Sequence, residues 1–261
     1  MPTPTNTTLF GVGGCNCPAG TCTVNFRVNG CGGLVYPSVP TVNVFDHSGG
    51  TLLASGTVDA TGHVILTFTG TSGTFWVTIT TASARFNSYA QTDNLTCGGA
   101  FTITLTAATG FQCIAGCPIP LANTLHLTDP AIAGGPVTAT LTWTGTDWAG
   151  TANVSFPGNS CTGVTCAAAT VPVTYVFLTS GELSISFPSG GLGGQCPTAT
   201  GGAGTGLFGP LDGITACPLS FAASWNSGNF IPGGITNGPF YSLYACPAGG
   251  SILPADITLT E

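Results

Sequence analysis

The chain predicts an all-β fold: two β-sandwich-like domains, rich in disulfides, with an N-terminal arm. Three observations carry that prediction. Apolar residues alternate with Thr and Asn at period two, and Gly, Asp and Asn clusters separate the runs. About one residue in six is threonine, a β-branched strand former. Only 4% of the 261 residues are charged, against about 25% in an ordinary soluble domain. Lysine is absent, and Arg27 and Arg85 are the only strong bases. Long surface helices need Glu and Lys in register, so they are excluded. Nucleic-acid binding needs clustered Lys and Arg to displace counterions, so it is excluded as well.

From the N-terminus, residues 1–21 read as an arm. Thr5 to Val12 is the stretch suited to add a strand to a neighbouring sheet. The opening residues carry neither a basic segment nor the apolar stretch of a secretory signal. No apolar run approaches the roughly 20 residues of a membrane-spanning helix, so no membrane insertion is expected.

Residues 22–108 read as the first domain. Val24, Phe26 and Val28 share one strand face, and Val42 with Val44 repeat the pattern. So do Val64, Leu66 and Phe68, then Phe75, Val77 and Ile79, then Phe101, Ile103 and Leu105. The turns between them include Asp46-His47-Ser48-Gly49-Gly50 and Asp59-Ala60-Thr61-Gly62.

A patterned stretch adds to this. Gly30-Cys31-Gly32-Gly33 precedes Thr41-Val42-Asn43-Val44. Ser55-Gly56-Thr57-Val58 leads into the Asp59 turn and then His63-Val64. Gly73-Thr74-Phe75-Trp76-Val77-Thr78-Ile79 follows. From about Thr23 to Ala108 the chain thus resembles the carboxypeptidase regulatory-like domain, a seven-stranded sandwich related to transthyretin. It departs from that family at Tyr36-Pro37-Ser38-Val39-Pro40, where a Pro-Leu-x-Gly-Ala run is usual. The resemblance implies a spacer or recognition module and no catalytic residues.

Twelve cysteines, an even number, suit a disulfide framework and an oxidising compartment. They are Cys15, Cys17, Cys22, Cys31, Cys97, Cys113, Cys117, Cys161, Cys166, Cys196, Cys217 and Cys246. Cys31 and Cys97 sit in matching settings, each followed by Gly-Gly, and are expected to pair; the connectivity of the rest is open. Neither metal-ligand spacing nor a cationic neighbourhood for a reactive thiolate accompanies them.

Residues 109–120, with Cys113 and Cys117, read as a stapled junction. Residues 121–261 form the second β-rich domain. Its expected strands are 121–127, 137–143, 171–178, 183–187, 219–225, 240–245 and 252–259. The glycine-rich stretches 189–194 and 200–206 read as loop. Cys-Pro at Cys17, Cys117, Cys196, Cys217 and Cys246 marks strand starts, edges or turns.

Candidate sites are sparse. Asp46, Asp59, Asp93, Asp129, Asp147, Glu182, Asp212, Asp256 and Glu261 are scattered and turn-like. His47 and His63 flank turns, and His126 lies in a strand pattern. No nucleophile elbow, zinc-protease motif or phosphate loop is present. No catalysis and no cofactor are expected. Asp46 and Asp59 as calcium ligands are an alternative to plain turn chemistry. Trp76, Trp143, Trp148, Trp225, Tyr241 and Tyr244 as a sugar-binding face are an alternative to core packing.

A cover of Thr, Ser, Asn and Gly has little self-repulsion, and uncharged strand edges invite pairing. The sequence therefore predicts a non-enzymatic structural subunit that assembles with copies of itself or with other structural subunits. Cysteines combined with a missing export signal favour a phage virion component such as a tail, fibre or decoration protein. A secreted bacterial surface or filament subunit or adhesin is the alternative. A secreted carbohydrate- or calcium-binding module is the third reading.

Overall fold

The computed structural model describes residues 20–36, 38–81, 83–129, 136–156, 159–161, 164–190, 196–197, 202–208, 214, 217, 220–226 and 256–261. The protein is all-β, and the helical content among these residues is one 3-10 turn, Cys31–Gly33. The expected arm, Thr5 to Val12, and the expected strand 240–245 lie outside the described residues.

Backbone contacts divide the chain into two units. One takes the chain up to Asn29 and Ser38–Leu105; the other takes Gly30–Pro37 and Thr106–Glu261. The short excursion through Cys31 thus belongs to the second unit.

The first unit holds seven strands: β1 (Thr21–Asn29), β2 (Thr41–Phe45), β3 (Leu52–Thr57), β4 (His63–Thr69), β5 (Gly73–Thr80), β6 (Tyr89–Leu95) and β7 (Ala100–Thr104). They form a three-stranded sheet, β4-β1-β7, and a four-stranded sheet, β3-β2-β5-β6. β1 pairs antiparallel with β4 but parallel with β7. The period-two pattern explains the layering. Val24, Phe26, Val28, Leu66, Phe68 and Ile103 are buried on the first sheet, and Val42, Val44, Val77, Ile79 and Leu95 on the second. Each such side chain gains about 1.5–3 kcal/mol from leaving water. The sheets approach closely: a Cβ on Gly56 of β3 would stand 2.7 Å from Leu66 Cδ2 of β4.

The second unit begins with β8 (Phe111–Gln112), β9 (Leu121–Ala122), β10 (Thr124–Asp129), β11 (Val137–Trp143), β12 (Trp148–Phe156), β13 (Asn159–Cys161) and β14 (Val164–Cys166). It continues with β15 (Ala169–Phe177), β16 (Leu183–Gly190), β17 (Cys196–Pro197), β18 (Gly202–Phe208), β19 (Ala222–Asn226) and β20 (Asp256–Thr260). Its main sheet runs β17-β16-β15-β12-β11-β10-β20-β19, with β18 also on β16. Leu183 of β16 and Ala223 of β19, near opposite ends of that order, share one core with Leu125, Leu141, Val173 and Leu259. Phe177 of β15 and Phe221, just before β19, meet with ring centroids 5.9 Å apart, so the sheet curls over its own apolar face. Ile114, Cys117 and Ile119, from the stretch expected to be a junction, pack into the same core.

One expectation is corrected here. Within the glycine-rich stretch 200–206, residues 202–206 are strand and not loop: Gly202 to Phe208 pairs with Ser189 to Leu183 over seven positions. Glycine weakens a strand through entropy and a missing side chain, but it removes no ladder hydrogen bond. Ser189 and Gly190, read as the start of the other loop, are the end of β16.

Candidate functional site

The acidic residues are built into the backbone of turns and edges. Asp46 Oδ1 accepts the backbone N–H groups of His47 (2.8 Å) and Thr51 (2.7 Å), and the exposed ring of His47 lies 2.8 Å from the same oxygen. Asp59 Oδ1 accepts from Thr61 N (2.8 Å), Thr61 Oγ1 (2.7 Å) and His63 N (3.0 Å). The Thr61 hydroxyl above all, then the two N–H groups, hold the Asp59 carboxyl below its ordinary range. Both loops are thus closed by the carboxylate itself, the chemistry that places Asp at turns. Asp147 accepts from Thr179 N, Glu182 from Ser180 Oγ and Glu261 from Ala122 N. Among the described residues no three His, Cys, Asp or Glu side chains gather as a metal ion requires. Asp212 and the side chain of Asp256 lie outside the described residues.

Two carboxylates go inward. Asp93 is buried on β6, bonded to Tyr89 and Gln91. Asp129 is fully buried at the end of β10, where the phenol of Tyr175 donates to it. The phenols of Tyr89 and Tyr175 are pushed above their ordinary range, first by burial and then by these carboxylates.

The tryptophans expected as a possible sugar face are placed differently. Trp148 is fully buried, donates from Nε1 to Ala122 O at 2.8 Å, and meets Trp143 edge-on with centroids 4.7 Å apart. Phe177 packs on it at 5.6 Å. Trp143 and Trp148 are core residues. Trp76 is half-buried on β5. Tyr241, Tyr244 and the side chain of Trp225 lie outside the described residues.

Three disulfides are formed: Cys22–Cys97, Cys31–Cys113 and Cys117–Cys217. The expected Cys31–Cys97 pair is therefore wrong. Cys97 lies just after β6 and meets Cys22 on β1 at a Cα separation of 4.8 Å, whereas Cys31 belongs to the second unit and meets Cys113. The shared Gly-Gly context marks local turn geometry, since Gly32, Gly33 and Gly98 all have positive φ; it carries no information about proximity. Cys161, Cys166 and Cys196 lie on β13, β14 and β17. Cys15, Cys17 and Cys246 lie outside the described residues.

The outer sheet faces are covered with hydroxyls. Cross-strand contacts join Thr23 to Thr67 (2.9 Å), Thr151 to Thr174 (3.2 Å) and Ser155 to Thr170 (3.0 Å). Arg27 is the only arginine in a described strand, and Arg85 sits in a turn. What the sequence does not reveal is which strands lie at the edges of these sheets among the described residues; that follows from strand order.

Fold and composition together define a disulfide-stitched all-β protein poor in charged side chains. No family model and no curated protein matches the chain. Among solved structures, a streptococcal ancillary pilin is similar at 11% identity and a TM-score of 0.27, over 61% of this chain. The match spans 54% of that pilin, so the chain covers about half its length. No helix among the described residues is long and apolar enough to cross a membrane.

Proposed function

We propose that this protein is a non-enzymatic structural subunit of an extracellular assembly, of the surface-filament or adhesin kind. The observation that carries this reading is the pairing of buried disulfides with outer faces made of hydroxyls. Cys22, Cys31 and Cys117 are at most 1% exposed, so their bonds belong to the cores and form as the chain folds. A reducing cytosol opposes such bonds, which favours an exported chain over a virion protein folded inside a host. Each loop spans 75 to 100 residues and contributes about 4.5 kcal/mol in the chain-entropy model. Stiff domains with few ionic side chains to immobilise are suited to repeated subunit contact. Within this reading the first unit is a carboxypeptidase regulatory-like module acting as a spacer, which its three-plus-four strand arrangement supports.

The test is negative-stain electron microscopy with multi-angle light scattering on unreduced protein. Filaments or discrete oligomers are expected. A monomer that persists at high concentration overturns the proposal.

A further inference from the structure

The four outer strands of the first unit differ in how they are guarded. On β6, Tyr89, Gln91 and Asp93 share one face: Tyr89 Oη donates to Asp93 Oδ2 at 2.7 Å, and Gln91 Nε2 donates to Asp93 Oδ1 at 3.0 Å. Asp93 is the buried member of the three, and an inward-turned carboxylate makes an outer strand a poor partner for another chain. β3 contains Gly56, and its pairing with β2 shifts register between Val44 and Phe45. β7 is only five residues long. β4 has none of these devices. Its seven residues, His63 to Thr69, pair with β1 without interruption and contain no Gly, Pro or permanent charge. Ile65, at 67%, is the most exposed large apolar side chain among the described residues, while Leu66 and Phe68 on the opposite face are at 4%.

Resting on the structural-subunit reading, we propose that β4 is the docking edge for β4 of a second copy, antiparallel and about a two-fold axis. The register that overlaps all seven residues sets Leu66 opposite Leu66, Ile65 opposite Thr67 and His63 opposite Thr69. It keeps Leu66 and Phe68 of both copies on the buried face, as a period-two strand requires. No like charges meet, because the only titratable group, His63, faces a threonine. Two three-stranded sheets become one of six strands, and each Ile65 gains a neighbour across the seam.

The test uses two double variants at the same exposed positions, I65K/T67K and I65K/T67E. In the proposed register I65K/T67K sets like charges opposite each other across the seam, and I65K/T67E sets opposite charges there. Sedimentation velocity should show association for wild type, its loss for I65K/T67K and its return for I65K/T67E at low salt. Equal association of wild type and both variants overturns this contact and leaves the structural-subunit reading standing. A wild-type chain that stays monomeric overturns both. If both variants are monomeric and folded by circular dichroism, the register is wrong and the proposal fails.

Discussion

Inside the second unit the phenol of Tyr175 donates to Asp129 Oδ2 at 3.3 Å, and both residues are fully buried. A buried carboxylate is stable only while its oxygens are satisfied. Tyr175→Phe removes one donor and should destabilise the unit by about 1–3 kcal/mol. The phenol also couples folding to pH. Its folded value is raised above the ordinary value near 10, so its contribution is complete below about pH 10 and is lost as pH rises beyond it. Denaturation followed through tryptophan fluorescence should show an alkaline loss of stability that shrinks in Tyr175→Phe. An identical alkaline slope in the variant contradicts this assignment.

Asp59 gives the opposite sign in the first unit. Its folded carboxyl is held below the ordinary value of 3.8, so its contribution is present above that pH and is lost as pH falls through the folded value. Asp59→Asn keeps an oxygen to accept from Thr61 and His63 and should flatten the acid dependence. Asp59→Ala leaves those donors without the carboxylate and should lower the melting temperature at neutral pH. Thermal scans from pH 2.5 to 6 decide the matter; a wild-type curve flat across that range counts against the turn as an acid-sensitive element.

The disulfides and the two arginines make a simple covalent test. Trypsin acting on denatured, unreduced protein cuts after Arg27 and Arg85, giving segments 1–27, 28–85 and 86–261. Cys22–Cys97 ties the first segment to the third, and Cys31–Cys113 ties the second to the third. One mass should therefore be seen until reductant is added, and three afterwards. Release of 1–27 without reductant would falsify the Cys22–Cys97 bond. In the native protein Arg27 lies on β1, held between β4 and β7, while Arg85 lies in a turn, so cleavage should begin at Arg85.

Much of the fold is legible in the sequence because burial follows period two. Val24, Phe26 and Val28 are buried in turn, and the expected strand 137–143 is the observed one. Where the alternation is carried by small residues, it is not legible. β12, with Gly150 and Ala152 on its way to Val154, and the glycine-rich β18 give no hydrophobic signal; their strand character comes from pairing with β15 and β16. Disulfide partners are hidden for another reason. Which cysteines meet depends on the excursion of Cys31 into the second unit, a long-range property that local context does not encode. That β4 is an outer strand among the described residues is likewise a matter of strand order, although the exposed Ile65 within an alternating run is its one local trace.

Gly150 marks a place where the curled sheet admits no side chain. A Cβ there would run into the Thr140 carbonyl oxygen of β11 and stand 2.9 Å from Leu141 Cδ2. Backbone cannot yield as a flexible side chain does, so Gly150→Ala should force β11 and β12 apart and cost about 1–3 kcal/mol, as overpacking does. Gly73→Ala is the control, since the nearest atom to its Cβ is Thr71 O at 3.9 Å and an ordinary contact results. Urea denaturation should show a lower midpoint for Gly150→Ala with an unchanged slope, and a midpoint near wild type for Gly73→Ala. Equal midpoints for the two variants would mean that β11 and β12 are not packed as closely as the Thr140 contact requires.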